Sequence, residues 1–459
     1  MQDKDPVTLV ILGASGDLTH RLLLPGLGTL LKSRPEYRVN LVGAAADDLT
    51  ADQWADRVRE GLAEGGCPAE RVEQMVAATR FEHLDVTDPA ALKAFLADLD
   101  AAGHPIVLYF ALPPAVSIAA CEAMTQFDLP EGMRLAIEKP FGSSYDTAHA
   151  FNRLLTSLVP ERQMYRVDHY LGKATVLNLL GVRFGNRIFE PIWDTANIEQ
   201  IEVIADESLA LEGRAGYYDH AGALRDMIQS HLLLVMAMVA MEEPARIDEV
   251  ELRDLIVHTL RATHLAGDDP LTASRRARYT AGSIDGKDIP SYVAEEGVDA
   301  ARNTETLAEV NLEIRNSRWA GVPFRLRSGK ALWDGFRGIV IKFRPVVHLP
   351  EGFHNTAEPN VMVIGLTPET LAIGISTNAE GDRWDLEQTT LSADLSESPV
   401  RPYGEILQGI LDDDPLLSVR GDMTEECWRI LTPVVDAWAS GAVPMDEYKA
   451  GSNGPDNWR

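Results

Sequence analysis

The chain has 459 residues, 45% of them hydrophobic and 24% charged; these proportions are ordinary for a globular protein, and the length suits two domains because single cores stop growing at about 250–300 residues. Its formal net charge of −28 excludes nucleic acid and anionic membrane surfaces as expected partners, since both need a basic footprint. No apolar run approaches the roughly 20 residues of a membrane span, the start MQDKDPVTLV shows no signal-peptide pattern, and Cys67, Cys121 and Cys427 have neither disulfide nor metal-ligand spacing; a soluble, cytoplasmic protein with no metal is expected.

The first 170 residues alternate short apolar runs, at Val7 to Leu12, Arg38 to Val42, Phe81 to Leu84, Val107 to Leu112 and Leu135 to Ile137, with longer segments of helical period such as ADQWADRVREGLAEG. That alternation predicts an α/β domain, a doubly wound, Rossmann-type parallel sheet over residues 1–170. From about Val203 the pattern changes to alternating strands (IEVIADES, TLAEVNLEIR, GIVIKFRPVV, NVMVIGL, TLAIGIST) broken by two helical stretches. A second, α+β domain over 171–459 with a large, mainly antiparallel sheet is expected.

Directly after the first strand stands Gly13-Ala14-Ser15-Gly16-Asp17-Leu18, followed by the helical pattern LTHRLLLPGLGTLLK. A glycine turn there brings backbone N–H groups and a positive helix end against a pyrophosphate, although strand-to-helix turns also hold glycine for conformation alone. Later, Pro140 forces an extended backbone on Lys139 and aims it off a strand end; a cis form of Pro140 is open. His231 lies on the apolar helical pattern AGALRDMIQSHLLLVMAMVAM, either as a proton acceptor or as a core histidine satisfied by a carbonyl. Asp226, five residues earlier, is rotated by about 140° at 3.6 residues per turn, so it flanks a shared ligand and does not pair with the ring. His169, Tyr170 and Lys173 put two ring donors and a cation within five residues, which suits a phosphate clamp or an ordinary solvated helix start.

These segments fall in order with Ala111-Leu112-Pro113-Pro114, Glu138-Lys139-Pro140-Phe141-Gly142, Arg166-Val167-Asp168-His169-Tyr170-Leu171-Gly172-Lys173 and Gly321-Val322-Pro323-Phe324. In that order they resemble the glucose-6-phosphate dehydrogenase family over nearly the whole chain. The resemblance implies hydride transfer from C1 of glucose 6-phosphate to NAD or NADP. It implies His231 as general base oriented by Asp168, whose bland alternative is a helix N-cap. It further implies Lys139 at the cofactor–substrate boundary and His169, Tyr170 and Lys173 on the 6-phosphate. Glu207 and Asp226 are implied on sugar hydroxyls, Lys330 on the substrate, the 13–18 turn on the cofactor, and a homodimer or homotetramer as the assembly.

Three positions depart from the family pattern: Leu22 and Gly335 stand where phosphate-assisting cations are usual, with Arg21 and Arg337 close by as substitutes, and Ala174 replaces a glutamate. A dehydrogenase of a different or non-phosphorylated sugar is therefore the alternative enzyme, and a non-catalytic regulatory paralogue the alternative class. Ala46 stands where NADP-using relatives carry arginine, followed by Asp47 and Asp48, so NAD is the expected cofactor.

Overall fold

The computed structural model describes residues 4–213, 215–396 and 398–458, the side chains of 174 and 175 excepted. The chain divides into two compact units, one of Met1–Ala174, Pro244–Asp254 and Ser398–Glu425, the other of Thr175–Glu243, Leu255–Glu397 and Glu426–Arg459. Where the sequence suggests one break near residue 170, the first unit also takes two later segments.

In the first unit, β1 (Val7–Leu12), β2 (Val39–Ala45), β3 (Arg80–His83), β4 (Ile106–Phe110), β5 (Arg134–Glu138) and β6 (Met164–Val167) are all parallel, in the order β6-β5-β4-β1-β2-β3. The order reverses between β1 and β4, the point at which doubly wound sheets open a crevice at their carboxyl ends. Ser418–Val419 adds a short antiparallel strand beside β6. β1 and β4 are buried almost throughout, as strands covered on both faces must be. The helix Pro402–Asp412 buries Tyr403, Ile406, Leu407, Ile410 and Leu411 in the same core cluster as Leu24, Leu27 and Leu31 of the first helix.

The second unit holds a ten-stranded sheet. Its strand Ile198–Asp206 lies at the centre between Arg337–Phe343, antiparallel, and Pro323–Gly329, parallel. The outward neighbours are antiparallel on one side through Val361–Thr367, Glu369–Asn378 and Leu386–Asp394. On the other side run Leu307–Ile314 and Ser274–Thr280, antiparallel, then Met445–Lys449, parallel to Ser274–Thr280. The α/β architecture with a large, mainly antiparallel second sheet is thus as the sequence predicts.

One face of this sheet carries the helical segment 215–240, which packs on the strands Ile198–Asp206, Leu307–Ile314 and Pro323–Gly329. By length and composition alone it could cross a membrane, but 83% of its apolar window is buried inside the fold. It is also not continuous. Gly222 has φ 67° and ψ 173°, and a Cβ there would lie 2.3 Å from Glu305 Oε1. Glu305 accepts the N–H of Leu224 at 2.9 Å, so a buried carboxylate caps the helix that restarts after the break. From Leu224 to Leu232 the turns are wide, with i→i+5 bonding as in Leu233 N–H to the Ile228 carbonyl.

Candidate active site in two halves

The glycine turn is built by packing. Gly13 has φ 88°, and a Cβ on it would meet the Ala111 carbonyl oxygen at 2.2 Å, so only glycine passes between β1 and the end of β4. The N–H groups of Gly13 and Ala14 donate to the Ala44 carbonyl at 2.8 and 3.1 Å, and Gly16 N–H donates to Gly13 at 3.0 Å. The amides of Asp17 and Leu18 open the helix and carry no hydrogen bond among the described residues, leaving first-turn donors and the positive helix end for an anion. The turn therefore fits a dinucleotide pyrophosphate. Beyond β2, Ala46 is exposed, and the Asp47 carboxylate accepts the Ser15 hydroxyl. Arg57, which the sequence reading missed, donates to the Ser15 carbonyl.

At the end of β5, Glu138 accepts the Tyr109 hydroxyl at 2.5 Å and also binds the Tyr403 hydroxyl. Burial, the largest influence, pushes its pKa up to about 7 against the hydrogen bonds and Lys139 that favour the charged form. Lys139 follows it, and the Lys139–Pro140 bond is cis. After β6, Asp168 is fully buried and its Oδ1 accepts the Tyr170 N–H at 3.0 Å. Asp168 thus closes a turn and is not a helix N-cap, because the following helix begins only at Ala174.

The clamp residues touch one another. The His169 and Tyr170 rings meet edge to face at 5.3 Å, and Lys173 Nζ lies 4.1 Å from the Tyr170 ring centre. Arg21, Leu22, His169, Arg401 and Tyr403 line a common hollow of about 200 Å³. Arg21 pairs with exposed Asp17 at 3.2 Å and Arg401 with Glu64 at 2.8 Å. Arg401 and Tyr403 were not legible as site residues, because they stand more than 200 positions after the motif they join.

In the second unit Glu207 receives Lys330 Nζ on Oε2 and Arg337 Nη2 on Oε1, the latter at 2.6 Å. Arg337, the expected substitute for the cation missing at Gly335, is thereby engaged with a carboxylate, as Lys330 is. His231 is 1% exposed, and the Tyr217 hydroxyl donates to Asp226 Oδ1 at 3.1 Å. The wide turns correct one expectation. The separation of about 140° between Asp226 and His231 assumes 3.6 residues per turn, whereas in i→i+5 turns the fifth residue comes round nearer to the first. Among the described residues, His354, Asp382 and Asp385 have ligand atoms within 4.8 Å of one another, a spacing that serves a solvated ion pair as well as a cation.

Residues 10–178 match the model of the glucose-6-phosphate dehydrogenase NAD binding domain, and residues 180–459 match that of the C-terminal domain of the same enzyme. The chain belongs to the glucose-6-phosphate dehydrogenase family. The glucose-6-phosphate 1-dehydrogenase of Treponema pallidum (strain Nichols) is 36% identical over 98% of this chain and 92% of its own. Among solved structures, glucose-6-phosphate 1-dehydrogenase from Mycobacterium avium is 32% identical with a TM-score of 0.86, covering 98% of this chain and 95% of that one. A glucose-6-phosphate dehydrogenase in complex with glucose 6-phosphate is 28% identical with a TM-score of 0.88, covering 100% of this chain and 96% of that one. Exposed Leu22 stands in the hollow beside His169.

Proposed function

We propose that this protein is a glucose-6-phosphate 1-dehydrogenase that oxidises C1 of glucose 6-phosphate to 6-phosphogluconolactone and prefers NAD to NADP. The observation that carries the activity is the family match along both units. The nicotinamide dinucleotide, held at the Gly13–Leu18 turn, supplies the hydride acceptor. His231 takes the proton of the C1 hydroxyl as hydride leaves C1, so that the hydroxyl oxygen becomes the lactone carbonyl. Asp168 orients the imidazole and steadies its charge. Lys139 positions sugar against cofactor, Glu207 and Asp226 accept sugar hydroxyls, Lys330 contacts the sugar while holding Glu207, and His169, Tyr170 and Lys173 hold the 6-phosphate.

The cofactor preference rests on Asp47. Its carboxylate is tied to the Ser15 hydroxyl, at the end of β2 where a Rossmann acidic residue takes the ribose 2′-hydroxyl. Two unit charges about 4 Å apart interact by about 4 kcal/mol at an effective dielectric of 20, so a 2′-phosphate beside that carboxylate is disfavoured.

A second reading, a related dehydrogenase acting on another sugar, is favoured by Leu22 and by the engagement of Arg337 with Glu207. Rates measured for NAD and NADP against glucose 6-phosphate, glucose and other sugar phosphates separate the readings. Faster turnover of an unphosphorylated sugar selects the second, and no cofactor reduction with any of them refutes both. Assembly as a dimer or tetramer is assigned to the sheet face carrying Glu202, Glu309, Arg325 and Lys342, where Arg325 pairs with Glu202 at 2.6 Å and Lys342 with Glu202 at 2.9 Å. Sedimentation of the purified chain tests it.

A further inference from the structure

In a chain of net charge −28, cations gathered around one hollow stand out. The second unit has such a hollow, about 270 Å³, at the break before the catalytic helix, and His220, Arg225, Arg276, Arg302, Glu305 and Trp438 are among its walls. Arg276 is only 5% exposed. Its Nε and Nη2 donate to the Val443 carbonyl at 3.1 and 2.8 Å, and its guanidinium lies 5.7 Å from the Trp438 ring centre. It makes no ion pair among the described residues; burial lowers its pKa, Glu305 opposes that shift, and nearby Arg278 adds to it.

Three carboxylates stand near, Glu305 in the wall and Asp219 and Asp299 on Arg302, the last at 3.7 Å, against the three arginines Arg225, Arg276 and Arg302. Glu305 accepts the Leu224 N–H, and burial raises its pKa against that hydrogen bond and the charges of Arg225 and Arg276, so its carboxyl leans toward the neutral form. Asp219 pairs with Arg302 at 2.6 Å but is 1% exposed and also accepts the Tyr292 hydroxyl at 2.7 Å and the Asp299 N–H at 3.0 Å. Arg225 and His220 remain exposed on the rim.

We infer that this hollow is a binding site for a small organic phosphate, separate from the residues assigned to the sugar substrate. Guanidinium groups converging from a strand, a turn and a helix match a dianionic phosphoryl group, which arginine binds in bidentate fashion. The flank of Trp438, Val435 and Ala439 receives the carbon skeleton, and the volume is below the usual range for large ligands, which selects a compound of a few carbons over a nucleotide. Arg225 adjoins Asp226 on the wide-turn segment, and Glu305 caps that segment. A bound phosphate therefore restrains the element that carries His231, and the site is regulatory.

The test is calorimetric titration of the full chain with 3-phosphoglycerate at fixed ionic strength, in the parent, Arg225→Gln, Arg302→Gln and Lys173→Ala proteins. Binding should persist in Lys173→Ala and weaken about tenfold or more in Arg225→Gln, as loss of a charge-assisted hydrogen bond requires. Arg302 also holds Asp219, so exposed Arg225 is the decisive position if Arg302→Gln fails to fold. Binding that is lost in Lys173→Ala and kept in Arg225→Gln overturns the inference by placing the phosphate in the substrate clamp. No heat beyond that of sulfate at equal ionic strength overturns it as well. Either result leaves the dehydrogenase reading untouched, since that is read from turnover.

Discussion

Tyr403 lays its ring nearly parallel to His169, with centroids 5.9 Å apart and planes 11° from parallel, while its hydroxyl binds Glu138. One side chain from the returning helix Pro402–Asp412 thus joins the strand end that carries Lys139 to the proposed phosphate clamp. Tyr403→Ala should raise the KM for glucose 6-phosphate about tenfold, and Tyr403→Phe, which keeps the ring, should raise it less. Steady-state kinetics at saturating cofactor distinguish them; equal effects would mean that stacking does not matter.

The hollow beside His169 is lined by Leu22 and by Arg401. Leu22→Lys should tighten glucose 6-phosphate several-fold, and Lys173→Ala should raise KM about tenfold or more. Arg401→Gln is expected to act in the same direction as Lys173→Ala but more weakly, because Glu64 already shares its charge. An unchanged KM in Lys173→Ala would remove the clamp from the substrate site.

His231→Asn should lower kcat by about 100-fold or more, the usual loss when a general base is removed, with cofactor affinity kept. Asp168→Asn should lose less in kcat; its amide oxygen still accepts the Tyr170 N–H, so the variant removes the carboxylate charge while keeping the turn. Near-normal turnover of His231→Asn at neutral pH would exclude the histidine as base.

Glu138 gives the fold a pH dependence of definite sign. Its folded pKa of about 7 lies above the ordinary 4.5, so between these values the folded chain retains a proton that the unfolded chain releases. Stability from this group is full below about pH 4.5 and falls as pH rises through 7, by up to about 3 kcal/mol. Asp206, raised by burial to about 6, acts in the same direction. Denaturant unfolding from pH 5 to 8 should show a shallower decline in Glu138→Gln than in the parent; identical slopes would mean that Glu138 is ionised throughout.

Asp47 should set the cofactor ratio. Ala46→Arg is expected to shift kcat/KM toward NADP by about tenfold or more, and Asp47→Ala to shift it less, since it removes a repulsion without adding a partner. A parent enzyme with a clear excess of kcat/KM for NADP would refute the preference itself.

Local chemistry was readable from the chain alone. The strand-to-glycine turn at Gly13, the strand end at Glu138-Lys139-Pro140 and the run from Asp168 to Lys173 are contiguous, and their backbone demands act within a few residues, so their order sufficed to indicate the family and both sheet types. Three features needed the folded chain. Tyr403 and Arg401 join the first unit because their helix buries its apolar face against the first helix, a pairing of faces that periodicity leaves open. The relation of Asp226 to His231 depends on i→i+5 turns, and nothing in LRDMIQSHL distinguishes these from ordinary helix. Arg225, Arg276 and Arg302 belong to a helix, a strand and a turn separated by up to 77 positions. Only the close packing of those elements, driven by apolar faces elsewhere on each of them, brings their charges around one hollow.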